Sequence, residues 1–117
     1  MDILNKSNEE IIAVIQPIAI QMENAWNNND FEMFLEHVSP ESKREFDKEN
    51  FKSQRDEVIP QLGNNSIKEI VTLHKNPDNI IAIWKVKFEK RDEPGLRIMF
   101  FKELNGSVVV ESSTFHS

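Results

Sequence analysis

Phe100-Phe101-Lys102-Glu103-Leu104-Asn105-Gly106-Ser107-Val108-Val109-Val110 is the stretch that decides the fold. Two runs rich in β-branched and aromatic residues flank Asn-Gly, the pair best suited to the positive φ angles of a type I′ turn. A two-residue loop there pairs Leu104 with Ser107, and hence Glu103 with Val108 and Phe101 with Val110. Because side chains alternate along a strand, Phe101, Val108 and Val110 share one face.

Working back from this hairpin, residues 79–91 alternate in the same way, with Ile80, Ala82, Trp84, Val86 and Phe88 on one side. Asp92 to Gly95 reads as a four-residue loop, which pairs Phe88 with Met99 and Val86 with Phe101. One face then carries Trp84, Val86, Phe88, Met99, Phe101, Val108 and Val110, and this is the face expected beneath the helices. The other holds Ile81, Ile83, Ile98, Phe100, Val109 and Phe115, interspersed with Lys85, Lys87, Lys102 and Glu111. That second face is too apolar for a plainly solvated one, so a second copy of the chain is expected to cover it, and a single β-bulge would swap the faces beyond it. A further strand over residues 66–75 sets Ile67, Val71 and Leu73 against Ile70 and His74, and Asn76-Pro77-Asp78 turns it.

Before Gly63 the period changes. Ser7 and Glu10 form a capping box, and Ile11, Ile15, Ile18, Met22, Ala25 and Trp26 mark one face of a long helix, with a kink expected at Pro17. Asp30 reads as the N-cap of a short helix carrying Phe31, Phe34, Leu35 and Val38. Ser39-Pro40 opens another, and residues 47–62 form a last helix with Gly63 as its C-cap. Helices first and strands last give an α+β chain, and 117 residues suit one domain spanning 1–117.

Composition narrows the function classes. A net charge of −6 without a Lys/Arg run argues against nucleic acid or an anionic membrane surface as partner. No cysteine is present, which removes disulfides, thiolate metal sites and a Cys nucleophile. The opening residues carry neither a basic segment nor an apolar run, so a cytoplasmic location is expected. Three scattered histidines, His37, His74 and His116, lack the spacing of a metal site, and no cofactor is implied.

The run Ala25-Trp26-Asn27-Asn28-Asn29-Asp30-Phe31-Glu32, followed by Ser39-Pro40-Glu41, resembles the end of the first helix, the turn and the short second helix of small bacterial members of the NTF2-like (cystatin-like α+β cone) superfamily. The resemblance implies N-terminal helices packed in the concave face of a curved, mostly antiparallel four-stranded sheet. It further implies a cone-shaped cavity between the layers and dimerisation through the outer sheet face. The superfamily holds ketosteroid isomerases, cyclases, dehydratases and epoxide hydrolases beside non-catalytic binding members. Isomerase-type chemistry there uses a Tyr donor, and this chain has no Tyr; the other enzyme patterns find no residue-by-residue match either.

Three functions are therefore weighed. The first is a non-catalytic, homodimeric domain that binds a small apolar or amphipathic molecule, with Trp26, Phe34, Trp84, Phe88, Arg97, Met99, Phe101 and Ser112 around the pocket. Arg97, Glu103, Ser112 and Thr114, with Arg97 opposite Thr114, are the polar exceptions on the inner face and orient a ligand if they point into the cone rather than past its rim into water. The second is a small enzyme using His37 or Asp30 as base, although Asp30 also reads as a helix cap and His37 as a residue near a helix C-terminus. The third is an adaptor that recruits another protein on the outer face. In the homodimer, Ile81, Ile83, Ile98, Phe100, Val109 and Phe115 form the interface.

Overall fold

The computed structural model describes residues 2–117. A short 3-10 turn at Ile3–Asn5 leads into α1 (Asn8–Asn27), α2 (Phe31–Leu35), α3 (Pro40–Glu45) and α4 (Lys48–Leu62). The strands follow as β1 (Asn65–Lys75), β2 (Ile80–Phe88), β3 (Gly95–Leu104) and β4 (Ser107–His116), in an antiparallel sheet of order β1-β2-β3-β4. The helices pack on one face of this curved, unclosed sheet.

Local chemistry sets the helix starts. Ser7 and Glu10 satisfy each other's backbone amides in a capping box, Asp30 accepts from the Met33 N–H at 3.1 Å, and Ser39 and Asp47 cap α3 and α4 in the same way. Despite Pro17, α1 continues as helix through to Asn27; packing of Ile11, Ile15 and Ala19, all fully buried, outweighs the one missing donor. Gly63 ends α4 at φ 71° and ψ −159°, a region open essentially to glycine alone.

In the β3–β4 hairpin, Leu104 faces Ser107, Glu103 faces Val108 and Phe101 faces Val110, as the Asn105-Gly106 turn dictates. Beyond Val110 the strand carries an extra residue, Glu111, so Phe100 pairs with Ser112 and Arg97 with Phe115 rather than Thr114. This bulge moves Phe115 from the expected outer face to the inner one, where it lies 5.8 Å from Phe88 and 6.2 Å from Trp26 between ring centroids. Phe115 thus leaves the expected dimer surface.

The β2–β3 register also departs from the four-residue loop. Val86 pairs with Gly95, not Phe101, because residues 89 and 90 leave the sheet and donate instead to the carbonyls of Asn64 and Leu62 at 2.9 Å. Gly95 fits there because a Cβ would sit 2.4 Å from the His116 carbonyl oxygen and 2.5 Å from Phe88. The displacement along β3 is even, so every side chain keeps its face. Trp84, Val86, Phe88, Met99, Phe101 and Val110 are almost wholly buried.

β1 bears register irregularities between Ile67 and Thr72. They turn Ile67, Ile70 and Leu73 together toward the core and leave Val71 outside, 54% exposed, which regroups the sides expected from simple alternation. At the opposite edge the chain around Val38 runs beside β4. Val110 N–H donates to the His37 carbonyl at 2.7 Å, Ser39 N–H donates to the Val110 carbonyl at 2.8 Å, and the Ser42 hydroxyl donates to the Glu111 carbonyl at 2.9 Å.

Candidate functional site: a cavity beside a buried polar cluster

A cavity of about 200 Å³ opens between the helices and β4. Met22 of α1, Phe34 and Leu35 of α2, Val38, Phe46 and Val110 supply apolar walls, and Ser42, Gln54, Glu111, Ser112 and Ser113 supply polar groups. The β4 bulge falls at this polar edge, where Glu111, Ser112 and Ser113 follow Val110 along the strand. Glu111 is held by Lys102 at 3.6 Å.

Behind the wall stands an aromatic cluster. Phe34 lies 5.0 Å from Phe51 and 5.9 Å from both Trp26 and Phe46, centroid to centroid. Arg55 clamps it from α4, with its guanidinium 5.9 Å from the Trp26 and Phe51 rings and its Nε donating to the Trp26 carbonyl at 2.8 Å.

Deeper in, a charged pair is buried. Arg97, 3% exposed, donates to Asn65 Oδ1 and to Ser113 Oγ, each at 3.3 Å, and stacks 5.6 Å above the Phe115 ring. Asn65 is fixed in turn by Asn27, whose side chain both donates to the Asn65 carbonyl and accepts from its amide. Glu23, 6% exposed, faces Arg97 electrostatically, yet no direct ion pair joins them among the described residues. Burial raises the Glu23 carboxyl above its usual range, with Arg97, the Ile67 amide and Lys68 pulling the other way. Burial likewise lowers the Arg97 guanidinium, partly offset by Glu23. Glu23 Oε2, Trp26 Nε1 and Arg97 Nε find no hydrogen-bond partner among the described residues. An unmet buried polar group costs about 1–3 kcal/mol, so each of these three atoms is an expensive one to bury.

Of the residues expected around the pocket, Phe34 and Ser112 line the cavity. Trp26 stands one layer behind Phe34, and Arg97 reaches the lining through Ser113. Trp84, Phe88, Met99 and Phe101 do not line it; they are core, with at most 1% exposure, and Trp84 Nε1 donates to Gln16 at 3.1 Å. The two candidate bases lie elsewhere. Asp30 is an exposed helix cap, and neither it nor His37 belongs to the cavity wall. Among the described residues no group of three or more His, Cys, Asp or Glu could hold a metal ion, and no helix is long and apolar enough to cross a membrane.

Residue type and spacing do not by themselves single out Glu23, Asn65 and Ser113. Glu23 carries a signal nonetheless, since Ile11, Ile15, Ala19 and Glu23 recur every fourth residue on the buried face of α1. No protein-family model matches the chain, and no curated protein is significantly similar to it.

Proposed function

We propose that the chain is a non-catalytic domain of the NTF2-like type that binds one small amphipathic molecule in the cavity between its helices and β4, as a cytoplasmic homodimer. The observation that carries this reading is the cavity itself: apolar walls from α1, α2 and Val110 meet a polar edge at Ser42, Ser112 and Ser113. Its 200 Å³ exceeds a cavity known to take an aromatic ring and falls below those that take drug-sized ligands. Neither Asp30 nor His37 lines the cavity, which favours binding over catalysis by those residues. The dimer is supported by the outer sheet face, where Ile81 pairs with Phe100 and Ile83 with Ile98 to form an apolar block. Two of its flanking lysines are paired within the chain, Lys85 with Glu69 and Lys102 with Glu111, which lessens the repulsion that a second copy meets.

The test is a binding survey by calorimetry with neutral single-ring molecules, 2-phenylacetamide among them. Binding to the native chain, abolished by Ser112→Trp at the cavity mouth with the circular dichroism spectrum unchanged, is the expected result. A native chain that binds none of them refutes the reading.

A further inference from the structure

The polar groups of the cavity wall differ in what they still have to offer. Gln54 and Ser112 are exposed at the mouth, whereas Ser42 and Ser113 are half-buried. The Ser42 hydroxyl lies 2.9 Å from the Glu111 carbonyl oxygen, which can only accept, so its proton is committed there and its lone pairs remain. Ser113 Oγ lies 3.3 Å from Arg97 Nη1, which can only donate, so its own proton is left to give. One hydroxyl therefore seeks a donor and the other an acceptor. They share one margin of the cavity, since Ser42 is bonded to Glu111 and Ser113 follows Glu111 by two residues in β4.

Charge is scarce in the same wall. Of the described residues that line it, Glu111 alone is ionisable, and its oxygens are already engaged, Oε2 by Lys102 at 3.6 Å and Oε1 by Asn79 at 3.4 Å. Arg97 stands behind the wall, with Glu23 opposing its charge. An anion thus meets no cation in the lining, and a cation meets a carboxylate that has its partners.

We propose that the cavity takes a small neutral alcohol, its aryl or short alkyl body among Phe34, Phe46 and Val110 and its hydroxyl between Ser42 and Ser113. This rests on the reading of the cavity as a ligand site. The alcohol donates to Ser42 and accepts from Ser113, and a hydroxyl is the smallest group that does both. An ether leaves Ser42 without a donor. A carboxylate cannot donate and an alkylammonium cannot accept, and each brings a charge that the wall does not balance, at a cost larger than one hydrogen bond.

The experiment is calorimetric titration of the purified chain at neutral pH with 2-phenylethanol, its methyl ether, phenylacetate and 2-phenylethylamine, the last two charged under those conditions. The alcohol is expected to bind tightest, the ether about fivefold more weakly for one lost hydrogen bond, and the two ions about a hundredfold more weakly. Ser42→Ala is expected to bring the alcohol down to the ether's affinity and leave the ether unchanged, whereas Ser113→Ala weakens alcohol and ether alike. Ether binding as tight as alcohol binding, or either ion binding as tightly as the alcohol, overturns the proposal while leaving the cavity a ligand site. Failure of all four molecules overturns the two readings together. The four native titrations decide the matter even where a variant does not fold.

Discussion

Glu23 stands in a row of buried apolar residues on α1, and its cost depends on pH. Burial holds the folded-state pKa above the ordinary 4.5 despite Arg97. The folded chain therefore keeps this proton to higher pH than the unfolded chain does. Its contribution to stability is complete below the ordinary value and is lost as pH rises through the raised one. Glu23→Gln removes the titration. The melting temperature of the native chain, taken relative to Glu23→Gln, is expected to fall as pH is raised from about 4 to about 7. A difference independent of pH would show that Glu23 titrates alike in both states. The fourfold spacing that buries Glu23 was in the sequence, yet a charged residue on an apolar face reads as a boundary of that face. Only the strands opposite, supplying Arg97 and the Ile67 amide, make the burial tolerable, and that pairing is set by tertiary structure. Asp30 is the contrary case: its spacing from Met33 suffices to define a cap, and the cap is what forms.

At the scale of elements, one inserted residue decides more than any side chain. The Asn105-Gly106 turn fixed pairing as far as Val110, since turn geometry propagates only along a regular ladder. Glu111 then shifts the phase, and the shift carries Phe115 onto Phe88 and Arg97 and brings Ser113 within reach of the guanidinium. No residue type announces such a bulge. The displaced β2–β3 register leaves the faces as alternation sets them because the displacement is even, whereas a shift of one residue in β4 inverts everything beyond it. Deleting Glu111 is expected to return Phe115 to the outer face and lower stability by about 2 kcal/mol or more, as for loss of a packed aromatic. Glu111→Ala keeps the backbone phase and gives up a half-exposed ion pair, for a loss below about 1 kcal/mol. Thermal denaturation of the two variants checks the contrast; equal losses would mean that the side chain, not the extra residue, matters.

For the whole molecule, the shortest dimension is 19 Å, room for one helical layer and one sheet. Among the described residues no element is therefore left to lie over Ile81, Ile83, Ile98 and Phe100. That the helices would cover one face was readable from alternation alone; what meets the other face is not written in the strand pattern. In the homodimer reading, light scattering of the native chain gives twice the chain mass, and Phe100→Glu returns it to a single chain. A native chain that is monomeric at high concentration would turn this surface into a recruiting face for a different protein.

The two margins of the sheet bear on how copies can meet. β1 is broken in register near Ile70, and β4 is already hydrogen-bonded to the chain around Val38. Both margins are thus interrupted, β1 by its register shifts and β4 at Val110, which makes each a poorer template for another strand. Stacking face against face is self-limiting, whereas pairing margin to margin can propagate without end. The irregularities that blur the strand pattern in the sequence are thus of the kind that disfavours growth from margin to margin.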